Sequence, residues 1–300
     1  MKKGVILQNN FLNEVIFRID FTTILKLSGN KKESAEDFQK KIFHEFPNVE
    51  IIHNNNFNID IDIKSGLPKQ FNSEDNLCWI FRNGLGDKEV SLTSNNLSYT
   101  CKNGSYNGFK LFLNDVLLIL DALSGYKPFE LKFLGLRYIN QIDNPDINDD
   151  IDLYINDFLS NKMLIDDFAD DEEVMSQIFT KFSIKKENYL LNLQYGFFNS
   201  DFPNPNHQKD FILDYDCVTR EIKAITDIEK HLKYMNQIIF DKFEYSIKDA
   251  LIEKMGEKLW LLQLVLFILN SQFKLKQFIQ LLQDNLTIPI KFIMIFMNLL

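Results

Sequence analysis

The stretch Leu131–Ile142, LKFLGLRYINQI, is mostly apolar and opens the second half of the chain. Residues 15–27 near the N-terminus, VIFRIDFTTILKL, have the same character. Each run carries one arginine near its middle, Arg18 in the first and Arg137 in the second. Apolar runs with imperfect alternation are typical of strands that are half buried in a sheet. We therefore interpret the two runs as equivalent strands of a repeated unit.

The elements that follow each run come in a similar order. In both halves we predict a helix, then three short strands and then a long helix, because apolar residues recur first at helical and then at alternate spacing. The predicted helices are 34–46, 109–123, 151–159 and 227–255, and the predicted strands are 77–83, 88–94, 96–102, 174–185, 189–198 and 211–223. The asparagine-rich residues 53–76 are predicted to be a loop around one short strand.

These elements predict an α+β fold made of two similar strand-helix-three-strand-helix halves. Each half is expected to form a mainly antiparallel sheet covered by its long helix. The predicted units are residues 1–128 and 129–256, followed by an apolar tail, 257–300. The tail is interpreted in three ways: a packing or oligomer helix, an interfacial membrane segment, or an altered reading frame appended to a complete domain.

The composition limits the classes of partner. The chain has 300 residues, a formal net charge of −9 and no cluster of basic residues, so a nucleic-acid partner is not expected. Cys78, Cys101 and Cys217 are far apart in sequence and form no C-x-x-C pair, which is neither a disulfide framework nor a zinc pattern. Their spacing, together with an N-terminus that has no signal-peptide core, predicts a cytoplasmic protein.

Four segments resemble a sporadically distributed bacterial protein family of unknown function, over about residues 10–256. The segments are FHEFPNVE at 43–50, YNGFKLFLNDVLLIL at 106–120, GLRYINQI at 135–142 and HLKYMNQIIFDKFEYSIKDALIEKMG at 231–256. The family has no assigned activity, so the resemblance implies no catalytic residue. Its members usually end soon after the last helix, which sets the tail apart.

The two arginines are the first candidate site. A guanidinium in a half-buried strand needs a carboxylate or carbonyl partner, which favours a structural ion pair or an outward-facing side chain. The functional alternative is an anion-binding fork, since arginine presents rigid donors that match carboxylate or phosphate. The candidate ligand-binding residues are Arg18, Arg137, Tyr138 and Asn140.

An acidic segment is the second candidate site. From Asp146 onwards, oxygen-bearing side chains follow the spacing of a calcium loop, but Ile151 stands where that loop needs glycine. A polar loop that leads into a helix N-terminus explains the same residues. The candidate metal ligands are Asp146, Asn148, Asp150 and Asp152.

Histidines beside glutamates are the remaining candidates for acid-base chemistry. His44 lies next to Glu45 and His231 lies near Glu229, but no nucleophile motif accompanies either histidine. The chain also has no G-x-S-x-G, glycine-rich phosphate loop or H-E-x-x-H motif, so no cofactor is expected.

Two functions follow from these patterns. The first is a non-enzymatic module that binds a protein partner or a small ligand in a cleft between the halves, with a homodimer left open. The alternative is a metal-dependent hydrolase that uses the carboxylates of Asp143–Asp152. Membrane attachment is expected only through the tail, 257–300.

Overall fold

The structure is a computed structural model that describes residues 11–28, 31–61, 68–102, 104–142, 178–198, 210–249 and 251. Within these residues, nine antiparallel strands form one continuous sheet. The strands are β1 (Leu12–Phe21), β2 (Asn48–Ile61), β3 (Pro68–Arg82), β4 (Lys88–Leu92), β5 (Asn96–Lys102), β6 (Leu131–Ile142), β7 (Ile178–Lys186), β8 (Tyr189–Phe198) and β9 (Asp210–Thr219). The helices are α1 (Glu36–Ile42), α2 (Phe109–Ser124) and α3 (Ile228–Ser246).

The predicted fold of two separate sheets is wrong. The strand order is β2-β3-β4-β5-β1-β6-β9-β8-β7, so strands from both halves of the chain belong to one sheet. The two halves meet where β1 pairs with β6, from Leu12 opposite Asn140 to Phe21 opposite Leu131. This pairing removes the cleft that was expected between two sheets, because the strands that would line it are bonded to each other.

One face of the sheet forms the core. Inward side chains alternate along each central strand, as in Val15, Phe17 and Ile19 of β1, and all three are fully buried. Ring contacts show that the helices lie on this face, since Tyr99 of β5 stacks on Phe112 of α2. The side chains of one sheet face point away from those of the other, so the residues between the buried ones, such as Arg18 and Asp20 of β1, fall on the opposite side.

The two long helices bury one stripe each. In α2 the buried residues recur at helical spacing and include Val116, Leu120 and Leu123. In α3, Leu232, Met235 and Ile239 form the corresponding stripe. None of the helices in the described parts of the chain has the length and apolar character that crossing a bilayer requires.

The largest local error of the sequence prediction concerns residues 53–76. The structure places residues 53–61 and 68–76 in the long paired strands β2 and β3, with pairing from Asn48 opposite Arg82 to Ile61 opposite Pro68. Asparagine is depleted in strands, which is why the segment was predicted to be a loop. The pairing of two neighbouring strands outweighs this preference. At the other end, α3 stops at Ser246, because Ile247 has extended backbone angles.

A chain of hydroxyl and amide groups joins the helix layer to the sheet. The hydroxyl of Tyr138 on β6 lies 3.0 Å from the hydroxyl of Tyr106 and donates to Asn236 Oδ1 on α3 at 2.8 Å. Tyr138 is 6% exposed, and burial raises its pKa well above the ordinary value. The neutral phenol is therefore held as a hydrogen-bonding group between β6, α3 and the segment before α2.

We expect Tyr138→Phe to lower the free energy of unfolding by about 1–3 kcal/mol, because it leaves partly buried polar groups of Tyr106 and Asn236 without this partner. Urea denaturation measures the change. The control is Tyr234→Phe, which removes a hydrogen bond to the exposed Glu187 and is expected to cost less than about 0.5 kcal/mol. Equal effects of the two substitutions would contradict the structural role of Tyr138.

Candidate functional site

The side of the sheet opposite the helices, which we term the open face, carries a row of polar side chains. Cα partners in neighbouring strands define the row, because paired residues project from the same side. The row runs across eight strands through Arg82, Glu89, Thr100, Ile16, Arg137, Asp216, Asn192 and Ser183. All members except Ile16 have a polar or charged side chain.

Arg137 is the centre of this row. Its Nε donates to Asp214 Oδ1 at 2.8 Å and its Nη2 donates to Asp214 Oδ2 at 2.6 Å, which is a bidentate fork. The Arg137 side chain is 43% exposed, whereas that of Asp214 is only 11% exposed. The hydrogen bonds to Asp214 raise the pKa of Arg137. Arg137 therefore compensates a carboxylate that has little access to water.

Asp216 lies opposite Arg137 in the register of β6 and β9. It accepts a 3.3 Å hydrogen bond from Asn192, whose Oδ1 accepts one from Ser183 at 2.7 Å. Burial raises the pKa of Asp216, although Asn192 and Arg137 both act in the opposite direction. Burial and the nearby Asp214 carboxylate together therefore outweigh the stabilisation that the ionised Asp216 receives from its polar and positively charged neighbours.

Arg18 lies on β1 of the same face but belongs to a separate cluster. Its guanidinium binds Asp20, with Nε 2.8 Å from Oδ1, and lies 5.9 Å from the centre of the Phe133 ring. Gly135, the partner of Arg18 on β6, leaves room for that ring, since a Cβ there would come within 3.1 Å of it. The Arg18 side chain is 54% exposed.

The four predicted ligand-binding residues do not form one site. Arg18 and Arg137 lie on the open face, whereas Tyr138 and Asn140 project into the helix-covered side of β6. Asn140 is 5% exposed, and its side-chain amide donates to the carbonyl of Leu213 at 3.1 Å. Both arginines have the carboxylate partner that a structural role predicts.

A second polar cluster lies beneath α2. Asp115 binds the ammonium of Lys88 at 2.8 Å and accepts a short hydrogen bond from the Tyr99 hydroxyl. Cys101 donates from its thiol to that same hydroxyl at 3.1 Å, and burial raises the pKa of the Cys101 thiol. The pocket beside this cluster has a volume of about 30 Å³, which holds one or two water molecules.

The structure describes the acid-base candidates, whereas the metal candidates lie outside the described residues. His231 lies against Tyr189, with Nδ1 2.6 Å from the phenol oxygen, and burial lowers its pKa. Its predicted partner Glu229 binds Lys233 instead. His44 is exposed at the end of α1. Within the ranges that the structure describes, no three His, Cys, Asp or Glu side chains are grouped as metal ligands. The predicted ligands Asp146, Asn148, Asp150 and Asp152 lie outside those ranges.

Asp214 and Asp216 complete the centre of the open face and were not among the predicted site residues. Both carboxylates lie at alternate positions in the run ILDYDCV of β9, whose other residues are apolar or aromatic. Alternation places them on the face opposite Leu213 and Tyr215. The sequence contains a signal for this site: two carboxylates on one face of a strand, and an arginine in another half-buried strand. The pairing of β6 with β9 was not readable from either strand alone.

The fold and the open face together define a class of protein: a single antiparallel sheet with helices on one side and paired charges on the other. No known protein family and no curated protein matches this chain in sequence. The resemblance of residues 10–256 to a bacterial family of unknown function therefore stays a prediction.

We expect Arg137→Ala to lower the free energy of unfolding by roughly 2 kcal/mol, because it leaves the Asp214 carboxylate with little solvent and no fork. Arg18→Ala, at a more exposed pair, is the control and is expected to change it by about 0.5 kcal/mol or less. Chemical denaturation measures both. The double variant Arg137→Ala/Asp214→Ala is expected to regain part of the loss. The role of the Arg137–Asp214 fork would be contradicted if Arg137→Ala lowered the free energy of unfolding no more than Arg18→Ala does.

We expect Asp216→Asn to stabilise the protein at pH 7. The pKa of Asp216 is raised in the folded state, so the ionised carboxylate opposes folding above that pKa. The gain is expected to shrink as the pH falls towards 3.8, the ordinary pKa, because the carboxyl group is then increasingly protonated in both states. Urea midpoints over this pH range test the prediction. Asp121→Asn, at a side chain that is 72% exposed, is the control. A free energy of unfolding at pH 7 that is lower for Asp216→Asn than for the unmodified protein would contradict this prediction.

Proposed function

We propose that the protein is a non-enzymatic binding module and that a partner protein docks on its open face. The main observation in support of this proposal is the polar row that crosses eight strands around Arg137. Adjacent strands are about 4.8 Å apart, so the row is roughly 34 Å long. The open-face residues on either side of the row lie about 6.7 Å away along the strands, so the row and its two neighbouring rows cover roughly 700 Å². This area approaches the roughly 800 Å² that each partner buries in a standard protein interface.

The shape of this surface favours a protein over a small molecule. Small ligands need a concave site of about 300–1,000 Å³ that surrounds most of their surface. The open face is the surface of one continuous sheet, and, in the part of the chain that the structure describes, the pocket beneath α2 has only about 30 Å³. The support for a small-ligand site is therefore weaker than the support for a docking surface.

The side chains of the open face suit a specific interface. Arginine is enriched among the residues that dominate binding energies, and Arg137 is both fixed by its fork and 43% exposed. Arg18 presents a second guanidinium, which lies near the Phe133 ring. Fixed charges of both signs exclude partners whose charges do not match, which gives specificity more than affinity.

A cytoplasmic location belongs to the same proposal. Cys78, Cys101 and Cys217 are all buried and unpaired. Burial raises the pKa of Cys217 to about 12, so its reactive thiolate form is disfavoured. Buried thiols without disulfides fit a reducing compartment.

The test is affinity capture from the cells of origin, with the open face blocked by Thr100→Arg. Thr100 is partly exposed near the middle of the row, and the long side chain introduced there would obstruct docking. We expect this variant to recover the partner at least about tenfold less than the unmodified chain, as measured by quantitative mass spectrometry. Thermal melting confirms that the variant is folded.

Thr226→Arg supplies the matched control, because Thr226 is exposed in the short 3-10 helix before α3 and is not part of the row on the open face. It is expected to recover the partner as well as the unmodified chain does. Equal recovery by Thr100→Arg and Thr226→Arg would place the partner elsewhere. Hydrogen exchange on the complex should then show no protection in β1, β6 and β9.

A further inference from the structure

One part of the open face is apolar. It lies beside the polar row, two residues away along each strand, where Leu190 of β8, Val218 of β9 and Gly135 of β6 are register partners in turn. A Cβ at Gly135 would come within 3.1 Å of the Phe133 ring and 3.7 Å of Val218 Cγ1, so both side chains lie against the glycine. Leu190, Val218 and Phe133 therefore lie side by side, and we term them the apolar strip.

The apolar strip is accessible to a partner. Leu190 is 39% exposed, and Val218 and Phe133 are each partly exposed. Removal of apolar surface from water is the main favourable contribution to most protein association. A partner that covers the strip with apolar side chains of its own therefore gains affinity.

Two basic side chains without ion pairs flank one end of the strip. Lys185 of β7 is the register partner of Leu190. Arg220 follows the last residue of β9, two residues after Val218. Both basic side chains are exposed, and neither forms an ion pair with the residues that the structure describes. This end of the strip therefore carries positive charge that a partner can neutralise.

The charges elsewhere around the strip differ. Arg18 lies at the opposite end, on β1, and is already bound to Asp20. Asp216 lies two residues before Val218 on the same face, beside the middle of the strip. A carboxylate of a partner is therefore repelled at the middle of the strip and attracted at the end near Lys185.

The dimensions of the strip suit an extended segment that crosses the strands. Gly135 and Lys185 are three strands apart, which is about 14 Å at a strand spacing of about 4.8 Å. In an extended chain, three alternate residues project from one side and span about 13 Å. Two apolar residues and one acidic residue at alternate positions therefore match the strip and its basic end.

We propose that the apolar strip, together with Lys185 and Arg220, anchors an extended segment of a partner protein that has two alternate apolar residues and an acidic residue two positions further along. The apolar residues cover Phe133, Val218 and Leu190, and the carboxylate pairs with Lys185 and Arg220. This inference rests on the proposed docking of a partner on the open face and adds the chemistry of the docked segment.

The test uses a capped peptide, Leu-Ser-Leu-Ser-Asp, whose leucines and aspartate project from one side of an extended chain. With the full chain, we expect saturable shifts in the NMR signals of the backbone amides of Gly135, Leu190 and Val218. Replacement of the aspartate by lysine is expected to weaken binding at least about tenfold, because the lysine then meets Lys185 and Arg220. No binding of the aspartate peptide, or equal binding of the two peptides, would overturn the proposal.

Matched variants locate the site. Leu190→Asp removes the most exposed apolar side chain of the strip and is expected to weaken binding of the aspartate peptide at least about tenfold. Ile52→Asp makes the corresponding change at a 38% exposed position on the same face of β2 and is expected to leave affinity within about twofold. Thermal melting confirms that both variants are folded. Equal loss with the two substitutions would overturn the assignment to the strip.

A second pair of variants tests the basic end. Lys185→Glu is expected to remove most of the preference for the aspartate peptide over the lysine peptide, because only Arg220 then remains as a cation there. Lys110→Glu, at an exposed position on α2, is expected to keep that preference. A preference that Lys185→Glu leaves unchanged would overturn the pairing of the carboxylate with this end.

Thr100→Arg separates this inference from the proposed function. Thr100 lies on β5, three strands away from β9, so its substitution is expected to leave peptide binding within about twofold while it reduces recovery of the partner. Reduced recovery with Thr100→Arg but full recovery with Leu190→Asp would overturn the inference and leave the proposed function standing. Self-association of the chain that Leu190→Asp abolishes, measured by sedimentation, would also overturn the inference, because the occupant would then be a second copy.

Discussion

The pairing of β1 with β6 is the interaction on which the rest of the structure depends. It joins strands that are more than 100 residues apart in the chain and makes one sheet from the two halves. Outward from this pair, β5, β4 and β3 follow on one side and β9, β8 and β7 on the other. The register also aligns Ile16 with Arg137 and Arg18 with Gly135, so the same pairing determines which side chains meet on the open face.

Much of the secondary structure could be predicted from local patterns. The central strands alternate, and α2 carries a wide apolar stripe, so short-range signals were sufficient there. The arrangement of the strands was not predictable in the same way, because any exposed strand edge offers the same backbone groups to every other strand. The choice between two sheets and one depends on long-range pairing, and the alternation within β1 or β6 is the same in both cases.

The candidate site shows the same limit and one avoidable error. The cost of burying charge predicts that each arginine has a carboxylate partner. It does not predict which carboxylate, since Asp214 is 77 residues from Arg137. The avoidable error was to group Arg137 with Tyr138 and Asn140. In a strand, neighbouring residues project to opposite faces, so Arg137 could not share a surface with the other two.

The charges of the open face are better explained by recognition than by stability. Burial raises the pKa of Asp216, so this carboxylate opposes folding at neutral pH. The Arg137–Asp214 fork offsets a desolvation cost that uncharged polar residues would not incur. A sheet face that contacts only water could be built from serine and threonine, as at Ser98 and Thr100 of β5. Under the proposal that a partner docks here, fixed and partly desolvated charges would distinguish one partner from another, since a mismatched partner would leave them without compensation.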